Sequence, residues 1–443
     1  MIIQVKVLWL VNIPLPEVCH LMGEQSSPFG GWLINASKYL AAQDNIVLSI
    51  AFPKLKMKDV MEYNGEKINY FAFPHLASND DRLMTDNSYL KSIVKQVQPD
   101  IVHIFGTEFA HSLAMVNVCN DLGVQSVISI QGLVTYIEKH YLANLPNNVQ
   151  KGFTFRDFVK QNNILQQKRD LKKRGLLEMK AIQKAKHVIG RTTWDRACAL
   201  QLNPTINYHF CNETLRETFY SNAWSIEKCE KYSIFLSQSS YPIKGLHYML
   251  EALPTILRSY PKAKIYIAGP DITASNNLKD RLKQTSYAKY ITRLIKELKI
   301  EEHVHFTGML DEQQMCNRYL KSNVFVCPSS IENSPNSLGE AMILGVPCIA
   351  SNVGGISDML VHGQEGFLYP ADAPYMLAHY VNEVFGSGNL ANDISSKARI
   401  HALKTHDCFD NNIRLMNIYH TIFNENQLKL STSKADVDSY FVY

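Results

Sequence analysis

With 443 residues, 46% of them apolar, the chain is too long for one ordinary core and suits two domains of roughly 200 residues each. A formal charge of +4 at pH 7 is only weakly basic, so charge alone gives no case for a nucleic-acid partner. The nine cysteines are scattered without a Cys-x-x-Cys pair, which excludes a zinc module or disulfide framework by spacing and reads as a reduced, cytoplasmic pattern.

The opening residues hold a short apolar run broken by Lys6 and no small-residue cleavage site, so they read as a buried strand over 5–11 rather than a secretion signal. No stretch approaches the ~18 apolar residues of a spanning helix, so any membrane contact is expected to be peripheral. A long loop over 12–29 ends in Gly30-Gly31 just before a predicted helix over 32–42. A glycine pair there lets the backbone approach a ligand closely. Strands over 46–51, 101–104 and 127–130, with helices over 88–96 and 112–121 between them, predict a parallel sheet. His111, in the loop after the strand over 101–104, and Gln131, after the next, sit where strand carboxyl ends would form one wall of a cleft.

Between Lys160 and Lys186 nine Lys or Arg face two Asp or Glu, with apolar residues interleaved. That pattern fits either a solvated helix face or a surface helix lying near anionic lipid. A strand over 187–189 leads to Arg191, where a cation at a strand end could meet a phosphate or an acceptor. Residues 206–231 lose the alternation and read as an interdomain connection, with 212–216 expected to line the cleft. A second alternating half comes next, with strands over 234–236, 264–268 and 304–307 and helices over 290–298 and 312–320.

The stretch 324–369 carries the most information. A buried strand over 324–327 is succeeded by a polar loop, a helix starting near Ser337 with Ser334 or Asn336 as cap, a second strand over 348–350, and Gly354-Gly355 opening another helix. Glu332 falls in the loop and Glu340 on the first turns of the helix, both toward the crevice at the strand ends. Amides at Ser337, Leu338 and Gly339, and at Gly354, Gly355 and Ile356, would supply two helix N-termini for anionic phosphates.

The segment Glu332-Asn333-Ser334-Pro335-Asn336-Ser337-Leu338-Gly339-Glu340, continued through Gly345-Val346-Pro347, Gly354-Gly355 and Gly363-Gln364-Glu365-Gly366, closely resembles the signature of retaining GT-B glycosyltransferases of the family 4 type, the glycosyl transferases group 1. The resemblance implies an α/β GT-B fold: two Rossmann-like domains whose parallel sheets face a deep cleft, with a C-terminal helix crossing back. The expected division is an acceptor-side domain over 1–205, the connection over 206–231, a donor domain over 232–408, the crossover helix over 409–423 and a loose tail over 424–443.

The resemblance also implies a nucleotide-sugar donor, a glycan or lipid-linked acceptor, and no cofactor, no metal and no nucleic acid. Its donor-binding positions fall on Gly30, Gly31, Gln238, Lys244, Glu332, Asn336, Ser337, Leu338, Glu340, Gly354 and Gly355, with Glu332, Lys244 and His111 as the catalytic candidates. Two departures stand out. Gln238 occupies the place of the arginine that precedes Lys244-Gly245, and Gln131 that of the histidine that contacts the transferred sugar. The sugar contact then falls to Gln131, to His111, which is preferred, or to both, while Arg191 is a candidate for the acceptor or for the lost cation. The competing readings are a nucleotide-sugar epimerase and a non-catalytic sugar-nucleotide-binding protein.

Overall fold

The computed structural model describes residues 4–25, 30–75, 87–274 and 278–439, the side chains at 278–280 and 428–439 excepted. The end of the loop expected over 12–29 and the last residues of the expected tail lie outside the described residues.

Two sheets organise the chain. The first contains β1 (Val5–Leu10), β2 (Ile46–Lys54), β3 (Met61–Asn64), β4 (Asn69–Pro74), β5 (Ile101–Phe105), β6 (Gln125–Ser129), β7 (His187–Gly190) and β8 (Asn207–Phe210), in the order β3-β4-β2-β1-β5-β6-β7-β8. All neighbours are parallel except the β3–β4 edge pair. The second contains β9 (Glu230–Leu236), β10 (Lys264–Ile267), β11 (Val304–Phe306), β12 (Ser322–Cys327), β13 (Cys348–Ser351) and β14 (Phe367–Tyr369), all parallel in the order β11-β10-β9-β12-β13-β14. Helices cover both faces, so strands such as β5, β6 and β12 are buried along their whole length. In each sheet the chain runs outward in one direction and then returns to the other side of its first strand, β1 or β9. The loops leaving those two strands therefore sit at switch points, where open α/β sheets bind ligands.

The helix Cys408–Ser439 returns to the first domain and buries Leu415, Ile418, Tyr419 and Ile422 in its core. Its Tyr419 hydroxyl accepts from Trp9 Nε1 at 2.9 Å and meets His103 Nδ1 at 2.6 Å. Burial holds His103 neutral, its pKa pushed down to about 3. The crossover helix thus begins one residue earlier than expected and, instead of giving way to a loose tail at Asn424, continues to Ser439.

Two expectations in the first domain need correction. The segment 141–164 contributes to the hydrophobic core of the second domain, not of the first, through Tyr141, Leu145, Val149 and Ile164. The Ala143 carbonyl there accepts from His247 and Tyr248, both at 2.9 Å. The basic helix, Ile164–Lys184, turns most of its apolar stripe inward, Leu176 being the exposed exception. Ile164, Gly175, Ala181 and Ile182 are buried, and Glu178 turns inward to accept from the Val134 and Thr135 amides at 3.1 and 2.9 Å, closing the start of the helix Val134–His140. That leaves Arg169, Lys172 and Lys173 as a solvated face.

Candidate active site in the interdomain cleft

The loop leaving β9 folds into one 3₁₀ turn, Pro242–Lys244, and reverses at Gly245 with φ 70°. A Cβ at Gly245 would stand 1.8 Å from the Pro328 carbonyl oxygen, and the Ser330 amide donates to Ile243 at 2.8 Å, so this turn is clamped onto the loop after β12. The clamp fixes Lys244 Nζ 2.6 Å from Glu332 Oε1, which also accepts from Ser329 Oγ at 2.8 Å. Burial alone would pull the Lys244 ammonium down, but Glu332 beside it overrides that and holds it above its ordinary range. Gly245→Ala is expected to cost at least ~1–2 kcal/mol of stability, through the left-handed φ and the carbonyl clash, and to displace Lys244. Denaturant titration together with donor affinity would check both.

Glu340 projects from the helix Asn336–Leu344 and is buried. Arg216, from the interdomain connection, grips its Oε1 through Nε at 2.8 Å and Nη2 at 2.7 Å. Burial raises the Glu340 carboxyl to about 7 even though Arg216 opposes the rise. The stem of Arg216 lies along Gly31, where a Cβ would come within 2.9 Å of its Cγ, so only a glycine leaves room for it. Gly30, with φ 79°, caps the helix Gly31–Ala41 without a side chain, so among the described residues no side chain caps the positive end of this 11-residue helix at the cleft.

These groups line one cleft of about 550 Å³ that runs between the domains. Gly30, Gly31, Gln238, Lys244, Glu332, Asn336, Ser337 and Glu340 all face it, together with Arg216, Trp32 and Tyr241. Sequence reasoning placed Arg216 only in a segment lining the cleft. No motif marks it, and its ion pair joins residues 124 positions apart.

Other expected residues are not brought together there. Leu338, on the helix, is fully buried, and the Leu338 and Gly339 amides bond to Pro335 O at 3.0 and 3.3 Å, Pro335 rather than Ser334 or Asn336 being the cap. Gly354 and Gly355 serve packing. A Cβ at Gly354 would stand 1.9 Å from Glu332 O, one at Gly355 2.4 Å from Asn333 O, and the Gly355 and Ile356 amides are bonded to Glu332 O and Val353 O. The glycine pair opens onto a short 3₁₀ turn, Ile356–Asp358, and not onto a second phosphate-binding helix. His111 is buried, bonded through Nε2 to Asn12 Oδ1 at 2.8 Å and stacked on Phe109, and burial pushes its pKa down to about 3. It does not reach the cleft.

Gln131 and Arg191 meet at the domain junction instead. Glu213 accepts from Gln131 Nε2 at 2.7 Å through Oε1, and from Arg191 Nη1 at 2.9 Å and Asn336 Nδ2 at 3.3 Å through Oε2. Together with Thr192 Oγ1 on Asn333 at 2.7 Å and Thr193 Oγ1 on Asp358 at 2.9 Å, this network latches the two domains. Arg191 is therefore paired at the junction, where with Gln131 and Glu213 it lines a smaller cavity beside Trp32 rather than the cleft that holds Lys244 and Glu332. Among the described residues no group of three His, Cys, Asp or Glu is placed to hold a metal ion.

Two parallel α/β domains facing one cleft, with a terminal helix recrossing to the first, define a GT-B protein. The family model described as glycosyl transferases group 1 matches residues 217–401, which span most of the second domain. The putative glycosyltransferase YtcC of Bacillus subtilis is 29% identical over 185 residues, a match covering 41% of this chain and 43% of that protein. The curated relative is thus matched over less than half of its own length. Among solved structures, sucrose-phosphate synthase from Thermosynechococcus elongatus superposes with TM-score 0.66 at 14% identity, covering 95% of this chain and 100% of that one. Anabaena HepE, solved with UDP and glucose, superposes with TM-score 0.64 at 16% identity, covering 94% and 99%.

Proposed function

We propose that the protein transfers a hexosyl group from a UDP- or GDP-linked sugar to a glycan or lipid-linked acceptor, with retention at the anomeric carbon. One observation carries this reading: two carboxylate–cation pairs, Glu332–Lys244 and Glu340–Arg216, share a cleft with the helix start at Gly30-Gly31. As the bond from anomeric carbon to phosphate oxygen breaks, its electron pair stays on the diphosphate. Lys244, Arg216 and the Gly30-Gly31 helix end would stabilise that charge. Glu332 would hold the sugar hydroxyls and Glu340 the ribose diol, each oxygen able to accept hydrogen bonds. Both carboxylates are held by cations, which disfavours either as a covalent nucleophile. In the same-face displacement the acceptor oxygen bonds to the anomeric carbon and passes its proton to the leaving phosphate oxygen.

In this reading Arg216 replaces the cation lost at Gln238, and Lys244 with Arg216 does the work that a divalent metal would otherwise do. The likeness to HepE, whose structure holds UDP, and the group 1 match support a nucleotide-sugar donor. The nine free cysteines fit a reducing, cytoplasmic setting, and no helix among the described residues is long and apolar enough to cross a membrane. The deciding experiment incubates the protein with a panel of UDP- and GDP-sugars, with and without glycan and glycolipid acceptors, in chelator. Acceptor-dependent release of nucleoside diphosphate is expected. A protein that binds nucleotide sugar but releases no diphosphate would be the non-catalytic alternative, which the glutamine at 238 favours. Interconversion of free nucleotide sugars would indicate an epimerase.

A further inference from the structure

Four large apolar side chains between 153 and 159 face solvent: Phe153 is 61% exposed, Phe155 59%, Phe158 68% and Val159 60%. This is not a loose segment. The helix Phe155–Lys160 starts with a capping box in which Thr154 and Asp157 exchange bonds, and both of these polar residues are buried. Gly152 lies against Ser286, whose hydroxyl donates to Val149 O at 2.8 Å, pinning the segment to the second domain. The element therefore fixes its polar residues inward and its phenylalanines outward, the reverse of a core-packed helix.

Cations surround the patch. Lys151 and Lys160 are exposed on the segment itself, and Arg156 is half-buried beside Asp157. The helix Leu278–Lys283 lies alongside and shows Arg281, Leu282 and Lys283 to solvent, Leu282 being 41% exposed. The acids nearby, among the described side chains, are Asp157, which is buried in the cap, and Asp271, across a groove of about 400 Å³ that Arg156 and Lys283 also line.

We propose that this face docks the protein on an anionic lipid bilayer, with Phe153, Phe155, Phe158 and Val159 entering the headgroup boundary and Lys151, Lys160, Arg281 and Lys283 meeting the lipid charge. Aromatic side chains bury on the order of 200 Å² each, so the patch offers roughly 400 Å², half of the ~800 Å² per side that a stable protein interface needs. An interfacial anchor with a basic collar needs only a few such side chains. Ser240, Tyr241 and Pro270 line both the groove behind the patch and the interdomain cleft, so docking here brings the cleft to headgroup level. This deepens the transferase reading and rests on it in one respect: the acceptor is the lipid-borne one.

The test sediments the full chain with vesicles of phosphatidylcholine alone or mixed with phosphatidylglycerol. The wild type is expected to pellet with the mixed vesicles, less so at high salt and little with phosphatidylcholine alone. Phe155→Ser with Phe158→Ser should lower the bound fraction at least about tenfold. Lys151→Glu with Lys160→Glu should abolish the preference for the anionic lipid. Both variants should keep the wild-type melting midpoint and nucleotide-sugar binding, since the changed side chains lie outside the core and the cleft. A wild type that stays in the supernatant, or a phenylalanine variant that pellets as well as wild type, overturns the proposal. So does vesicle-free dimerisation that the phenylalanines control, which would make a second copy the occupant. Sedimentation needs neither donor nor acceptor, so vesicle binding without transfer would sink only the catalytic reading, and transfer to soluble acceptors without vesicle binding only this one.

Discussion

Replacing Lys244 by alanine is expected to slow acceptor-dependent diphosphate release by roughly a hundredfold or more, the size of effect seen when one fixed stabiliser of developing negative charge is removed. The ammonium stands 2.6 Å from Glu332 in a turn that cannot shift, because Gly245 is wedged against Pro328 O. Loss of Lys244 also leaves the Glu332 carboxylate with Ser329 as its remaining side-chain donor, so stability should fall by ~1–3 kcal/mol. A double variant separates the two effects. Lys244→Met with Glu332→Gln removes both charges, so the melting midpoint should recover most of the loss while turnover stays low. Recovery of turnover along with stability would mean that the pair is a structural bridge and that the chemistry lies elsewhere. Arginine at 244 is not expected to substitute, since its planar fork needs room that a clamped turn beside Glu332 does not provide.

The second large effect concerns pH. Burial raises the Glu340 carboxyl to about 7 against the pull of Arg216. Holding a ribose diol requires the carboxylate, so donor kcat/KM should rise with pH through an apparent pKa near 7 and fall below it. Glu340→Gln should flatten that limb and lower the plateau at least tenfold, about 1.4 kcal/mol of barrier. Arg216→Gln removes the one strong group opposing the rise and should move the limb to higher pH, besides weakening donor binding. Stability should respond with the opposite sign. The native carboxyl holds its proton above the unfolded value of 4.5, so the stabilisation it contributes is complete below that pH and is lost as pH rises toward about 7. Chemical denaturation of wild type and Glu340→Gln across this window would reveal the slope and its disappearance. A donor profile that is flat through neutral pH in the wild type would remove Glu340 from the donor site.

The strand–helix alternation was legible because fully buried parallel strands such as β5, β6 and β12 appear as short apolar runs between helical patterns. The strands that escaped notice were of a different kind. β3 and β8 are half-exposed or exposed along their length, and β14 has only three residues, so neither alternation nor a continuous apolar run marks them. β4 is buried at Tyr70 to Phe73, yet its aromatic run between a turn and Pro74 gives an ambiguous period. The helix Gly388–Thr405 buries small side chains such as Ala391, Ala398 and Ala402, which leave little hydrophobic contrast.

Position in the strand–helix order sufficed to bring Glu332, Glu340 and the Gly30-Gly31 pair to the cleft lining, whereas Lys244 was marked by the family resemblance of its loop. The glutamates and the glycine pair lie at a strand end or a helix start, and such positions derive from chain order alone. The same reasoning misplaced His111 and the Gly355 and Ile356 amides, because proximity to a strand end does not say whether a side chain or an amide already has a partner. Asn12 takes His111, and Glu332 O takes the Gly355 amide.

By itself, then, the amino-acid order determined that two parallel α/β halves face each other and which loop acids and lysine line the cleft between them, since these depend on patterns a few residues long. The tertiary structure alone decided that Arg216 is the cation beside Glu340, that residues 141–164 cross to the other core, and that the phenylalanines near 155 point outward. Those facts depend on contacts between residues far apart in the chain, and the pairing and burial of a side chain are properties of its neighbours in space.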